Sequence, residues 1–175
     1  HSRGDGRVGM VCRGDRPDGP FTPVNLEADG RSCIENSPMN FDPAAFIETV
    51  SDPGDPDYVR GYRAYGYYGF KGSTGLQLDP DNMYGVRPGT GQISPFVPDD
   101  FKFFEASSLR QVGNKYVFVY SGYSGSEYGL GDANSTLRYA YADSPLGPWT
   151  QGGVLVDSRG IVTSDDGSRL IPTNT

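Results

Sequence analysis

Stretches free of both glycine and proline are scarce in this 175-residue sequence; with 25 Gly and 14 Pro, the longest runs only from Asp99 to Val112. Ordinary interior helices have almost nowhere to sit, because proline removes a helical hydrogen bond and glycine weakens the helix. A helical bundle is excluded. No apolar run approaches the roughly 20 residues needed to cross a bilayer as a helix, so no membrane partner is expected. Basic residues are few and scattered: 15 Lys and Arg face 22 Asp and Glu, for a formal charge of -7. No nucleic-acid partner is expected of such a chain, because no surface tracks phosphates. His1 is the only histidine, and the two cysteines, Cys12 and Cys33, lack C-x-x-C spacing. They read as plain thiols without a function, and spacing leaves open whether they pair. The first residues, His1-Ser-Arg-Gly-Asp-Gly, include neither an initiating Met nor a signal-peptide core. The chain is expected to be processed or cut from something longer, with secretion and a cytoplasmic location both open. Aromatic residues, by contrast, are plentiful: 12 Tyr, 9 Phe and 1 Trp. Such bulk argues against disorder and for a turn-rich, all-β protein.

An internal repeat organises the chain. Asp15-Arg-Pro17-Asp-Gly19-Pro20-Phe21-Thr22 matches Asp143-Ser-Pro145-Leu-Gly147-Pro148-Trp149-Thr150, and Asp79 stands midway between the two aspartates. A second match relates Phe41-Asp42-Pro-Ala44-Ala45-Phe46 to Phe104-Glu105-Ala-Ser107-Ser108-Leu109 at an offset of 63. Both point to a unit of about 64 residues. In the best-preserved copy, Ala106–Val112 leads through a Gly113-Asn114 hairpin turn to the β-branched and aromatic run Lys115–Ser121. Strands at Thr136–Ala142 and Gly153–Asp157 complete a set of four. Four antiparallel strands repeated in tandem describe a β-propeller blade. A β-sandwich with recurring turns is the alternative architecture, and a helix over Asp99–Val112, with Phe101, Phe104, Ser108 and Val112 on one face, is the alternative for that segment. On the blade reading, 1–175 is one incomplete propeller domain. Residues 1–29 end one blade, 30–95 form a blade carrying Asp42, 96–158 form a blade carrying Glu105, and 159–175 connect to the next.

Asp42 and Glu105 are the candidate catalytic pair. The repeat gives them the same place in consecutive units, each after Phe and before small residues. Two acids facing one aromatic-rich cavity suit glycoside hydrolysis, in which a carboxylic acid protonates the leaving oxygen while a carboxylate assists. A carboxylate near Glu105 disfavours its ionised form and keeps it protonated near neutrality.

Phe103-Phe104-Glu105-Ala106-Ser107-Ser108-Leu109-Arg110, then Lys115–Ser121, then Leu137–Asp143 with Ser144-Pro145-Leu-Gly147-Pro148-Trp149, resembles glycoside hydrolase family 43. The resemblance implies part of a five-bladed propeller, about two and three-quarter blades of a domain of about 320 residues. It further implies an inverting hydrolase of arabinose- and xylose-containing glycans, with a plant cell-wall pentosan as partner. Glu105 corresponds to the general acid and Asp42 to the residue that tunes and orients it. The general-base Asp of the family falls before this chain begins, and the family's histidine near the axis, close to a structural metal ion, falls after it ends. No cofactor is required of this chain, and the isolated 175 residues are expected to be inactive and aggregation-prone. A non-catalytic carbohydrate-binding or structural propeller is the competing reading. Xylan, arabinan and arabinoxylan, exo and endo attack, and the oligomeric state are not separated by the sequence.

Phe41, Tyr123 and Tyr128 are the candidate substrate contacts. Asp79-Pro-Asp81-Asn82 is dense in carboxylates but lacks a Ca²⁺-loop pattern, and it reads as a turn between blades. Asp52–Asp57 reads as a polar hairpin loop, the Tyr-rich run Gly61–Phe70 chiefly as packing with a sugar-facing platform as the alternative, and Trp149 as a plug between blades.

Overall fold

A computed structural model describes residues 9–34, 37–123, 136–157, 162–163, 167 and 169–170. The connector expected at 159–175 falls largely outside them, as do His1 and Tyr128.

The described chain is all-β apart from one 3₁₀ turn, Asp99–Phe101. A ribbon of β1 (Cys12–Arg13) and β2 (Thr22–Pro23) comes first. The first four-stranded sheet follows in meander order: β3 (Ala44–Thr49), β4 (Tyr62–Tyr68), β5 (Thr74–Gln77) and β6 (Gln92–Ile93). The second repeats that order with β7 (Phe103–Val112), β8 (Lys115–Gly122), β9 (Thr136–Ala142) and β10 (Thr150–Asp157). A short ribbon, β11 (Val162–Thr163) with β12 (Arg169–Leu170), ends the described chain. Every neighbouring pair within these sheets is antiparallel.

The helix considered for Asp99–Val112 does not form. Lys102 adopts left-handed backbone (φ 62°, ψ 39°) and stops the 3₁₀ turn. Gly113, at φ 60°, then turns β7 back onto β8. The ladder satisfies the backbone, and the alternate burial of Tyr116, Phe118 and Tyr120 pays one face of β8 into the core.

Register makes the two sheets comparable rung by rung. Ala44, Ala45 and Phe46 stand opposite Tyr67, Gly66 and Tyr65; Ser107, Ser108 and Leu109 stand opposite Tyr120, Val119 and Phe118. The offset of 63 therefore holds along the first strands. Along the second strands it drops to 53, because residues 50–61 join β3 to β4 whereas Gly113 and Asn114 alone join β7 to β8. Asp15, Asp79 and Asp143 lie in the β1–β2, β5–β6 and β9–β10 connections. This corrects the placing of Asp79–Asn82 between blades: the segment lies within the first sheet. Asp79 is occupied in shaping that turn, accepting hydrogen bonds from the Asn82 side chain (2.8 Å) and the Asp81 amide (3.0 Å). In the outer two connections the shared Gly-Pro-aromatic triplet has one physical basis. Gly19 and Gly147 have φ of 81° and 83°, and a Cβ on either would meet the ring of Phe21 or Trp149 at about 3 Å.

The core lies between the two sheets. Tyr65 and Tyr67 from β4 meet Phe96, Phe103, Leu109, Phe118 and Tyr120. The Tyr67 hydroxyl donates to the Pro145 carbonyl at 3.0 Å, crossing from one sheet to the other. Trp149 packs on Phe96 and Phe118 (5.3 and 5.4 Å), so it does fill the space between sheets. The other face of the first sheet buries Ala64, Leu76 and Leu78 against Met39. Fully buried Asn25 holds the preceding segment: its Oδ1 accepts from Val11 N (2.8 Å), and its Nδ2 donates to Gly9 O (2.7 Å) and Ser37 Oγ (3.0 Å).

The loop Asp52–Asp57 does more than turn the chain. Asp57 accepts two hydrogen bonds from Arg87 (2.6 and 2.7 Å) and one from Arg63 (2.7 Å), while Arg63 also pairs with Asp55. Next to this network, Glu48 accepts from Tyr65 (2.7 Å) and from Tyr116 of the second sheet (2.5 Å). The guanidinium groups of Arg87 and Arg63 hold the Asp57 carboxyl down at about 2, from 3.8. A depressed carboxyl contributes stability that is present above its unfolded value and lost as pH falls through its folded value. Asp57→Ala is thus expected to cost about 2 kcal/mol at neutral pH, since it strands the Arg87 guanidinium and leaves Arg63 only its other carboxylates. Asp57→Asn should flatten the fall in stability between pH 3.8 and about 2. Denaturant titrations of the full-length protein across that window check both, and an unchanged acid limb in the Asn variant would rule the network out as its source.

Candidate active site

The two candidate acids enter on unlike backbone. Asp42 lies two residues ahead of β3, in left-handed conformation at φ 44°, and is followed by Pro43. A residue before proline ordinarily prefers extended backbone, so this placement stores about 1–3 kcal/mol of strain. Its neighbour Phe41 is tied down through its carbonyl, which accepts from Gly69 N at 3.1 Å. Glu105 lies inside β7. Phe103, Glu105 and Ser107 pair with Gly122, Ser121 and Tyr120, so β7 carries an extra residue on each side of Glu105. Bulges bend a strand and re-aim the side chains beside them. Ala106, at φ 41°, marks the second.

β3 and β7 are edge strands of their sheets and pack against each other. A hollow of about 450 Å³ is lined by Met39, Phe41, Asp42 and Pro43 of the segment leading into β3 and by Ala106 and Ser107 of β7. A hollow of about 260 Å³ is lined by Glu105, Ala106, Ser107 and Ser108 with Tyr120 and Ser121. Asp42 and Glu105 therefore occupy adjoining hollows that share Ala106 and Ser107. The Ser107 hydroxyl is buried there and has no hydrogen-bond partner among the described residues.

A row of four rings runs across the same end of the sheets. Phe41 meets Phe70 at 5.0 Å, Phe70 meets Phe104 at 5.3 Å, and Phe104 meets Tyr123 at 5.0 Å. Phe41 and Tyr123, expected as substrate contacts, stand at its two ends. Phe70 and Phe104 were not expected in it. The signal for them lay in the repeat: Phe104 is Phe41 displaced by 63, and Tyr123 is Phe70 displaced by 53, the offsets of the first and second strands.

Among the described residues, no group of three or more His, Cys, Asp or Glu side chains could hold a metal ion, so they offer no cradle for the ion implied near the axis. Cys12 and Cys33 are free thiols. No helix among the described residues is long and apolar enough to cross a membrane.

Solved structures share the fold of this chain. The chain matches an α-L-arabinofuranosidase of glycoside hydrolase family 43 from Clostridium thermocellum with a TM-score of 0.56 and 20% identity, over 100% of this chain and 71% of that one. A family 43 enzyme from Xanthomonas citri complexed with xylose gives 0.54 and 18%, over 94% of this chain and 64% of that one. A family 43 β-xylosidase/α-arabinofuranosidase from a compost microbial metagenome, in complex with xylotriose, gives 0.55 and 21%, over 91% and 54%. The chain thus has the fold of part of a family 43 propeller and spans only part of each of these proteins. No protein-family model matches the sequence, and no curated protein matches it.

Proposed function

We propose that this chain is part of an inverting glycoside hydrolase acting on arabinose- or xylose-containing polysaccharides or oligosaccharides. The observation that carries the reading is the placing of Asp42 and Glu105, related by the repeat, in adjoining hollows that meet at Ala106 and Ser107 of β7. Protonated Glu105 donates to the glycosidic oxygen as the bond to the anomeric carbon breaks, and the ring passes through an oxocarbenium-like state. In this reading the carboxylate of Asp42 raises the cost of ionising Glu105 and keeps its proton available. The carboxylate that activates water lies in a part of the propeller outside these 175 residues. Solved relatives in complex with xylose and xylotriose support a pentose substrate.

Full-length protein should release a sugar of inverted anomeric configuration from aryl arabinosides or xylosides, read by proton NMR at early times. Retention would overturn the inverting mechanism, and no turnover of either sugar would favour the binding-module reading. Asp42→Asn provides the sharper check. Removing the neighbouring charge lowers the Glu105 pKa, so the protonated form is lost sooner as pH rises. The alkaline limb of the kcat/KM profile should move down by about one pH unit. A limb that stays in place would remove Asp42 from this role.

A further inference from the structure

The β4–β5 loop, Gly69–Ser73, is wedged between the starts of the two sheets. Gly69 N donates to Phe41 O (3.1 Å), and Lys71 N donates to Phe104 O (2.7 Å). Between those anchors Phe70 touches a ring on either side yet stays 43% exposed. A side chain of that size held at the surface by a fixed backbone is not serving burial alone. The Lys71 ammonium sits over this ring, 5.4 Å from its centroid. Its backbone is left-handed, φ 56°, and the hydrogen bond to Phe104 holds it there.

Charge adds a second, independent observation. The sequence has three lysines, Lys71, Lys102 and Lys115, in a chain of net charge -7. Lys115 pairs with Asp143, whereas Lys71 and Lys102 make no ion pair among the described residues, and of these two only Lys71 lies over an aromatic ring. An ammonium left without a carboxylate in so acidic a chain, and fixed beside an exposed ring, is complementary to a ligand with an apolar face and a negative charge.

We propose that Phe70 and Lys71 form a subsite for a sugar bearing a carboxylate, a uronic acid unit on or beside the pentose chain. The inference rests on the glycosidase reading and deepens it. The C–H face of the sugar packs on the exposed surface of Phe70, and its carboxylate takes a charge-assisted hydrogen bond from Lys71. Phe41 lines the Asp42 hollow and also touches Phe70, so the subsite borders the candidate acids. The ring accepts any sugar; the ammonium supplies the discrimination.

The test uses full-length protein carrying Glu105→Gln to suppress turnover, titrated calorimetrically with two xylo-oligosaccharides of equal length, one with a glucuronic acid substituent. The acidic ligand should bind about 3–10-fold more tightly at low salt, and the preference should shrink on adding about 0.5 M NaCl. Adding Lys71→Gln should bring the two affinities together, and Lys71→Glu should reverse their order. Phe70→Ala should weaken both by about tenfold. Equal affinities in the Glu105→Gln protein, or a preference that survives Lys71→Gln, would overturn the subsite. Turnover of neutral aryl pentosides by the protein with Glu105 intact reads the hydrolase separately. Lys71-dependent binding without any turnover keeps the subsite and removes the hydrolase, and turnover without the preference does the reverse.

Discussion

Glu105→Gln in the full-length protein is expected to lower kcat/KM by about 10²–10⁴-fold on xylosides or arabinosides with alkoxide-like leaving groups, the usual contribution of a positioned general acid. The same change should cost far less on nitrophenyl glycosides, whose leaving oxygen departs without a proton. The diagnostic is the slope of log kcat/KM against leaving-group pKa, which should steepen when the acid is removed. An equal loss on good and poor leaving groups would show that Glu105 does not protonate the departing oxygen. Glutamine keeps the size of the side chain, and the bulges around Glu105 are set by backbone register between β7 and β8. The variant is therefore expected to fold as the parent does, and its defect to report on the proton.

The pair of acids was legible because the repeat left a chemical trace at each position. Phe41-Asp42 and Phe104-Glu105 share an aromatic, an acid and small residues after it, and the rungs that follow them keep one register, with a Tyr opposite Ala44 and opposite Ser107. The strands Lys115–Gly122 and Thr136–Ala142 were legible for a plainer reason: β-branched and aromatic residues alternate in the first, tyrosines recur every second residue in the second, and turn residues bound both.

Phe70 was harder to see, because a tyrosine-rich strand leading into it looks like packing throughout. Only the register reveals that the strand ends at Tyr68 and that Phe70 stands beyond it, in the position of Tyr123. The spread of Asp57 contacts was not legible at all. Its partners Arg63 and Arg87 are separated from it by 6 and 30 residues, and no spacing rule relates a loop carboxylate to one arginine in β4 and another in the β5–β6 connection. Asp79 failed differently. Its 64-residue spacing was sound, but spacing alone does not say whether a turn lies within a sheet or between sheets.

The second large effect concerns what keeps the two acids in adjoining hollows. Phe118 is 1% exposed and is the ring on which the inter-sheet core converges: Tyr67 and Phe96 approach it at 5.5 and 5.3 Å, Tyr120 at 5.6 Å and Trp149 at 5.4 Å. Phe118→Ala is expected to destabilise the full-length protein by about 3–5 kcal/mol, from lost burial and from a cavity its aromatic neighbours cannot fill without leaving their rotamers. Phe118→Leu, closer in volume, should cost roughly 1–2 kcal/mol. The consequence reaches the candidate site through the backbone. Phe118 stands opposite Leu109 on β7, four residues from Glu105, and it packs on Tyr67, which stands opposite Ala44, two residues from Asp42. Loosening this contact frees the sheets to shift against each other. Phe118→Leu should therefore remain folded while losing activity, chiefly in kcat, because a displacement of about 1 Å between an acid and its substrate costs about a hundredfold. Denaturant titration and steady-state kinetics on the same preparation separate the two effects. A Leu variant with parental kcat would show that the spacing of Asp42 and Glu105 is set elsewhere, and an Ala variant within 1 kcal/mol of the parent would remove Phe118 from the centre of the core.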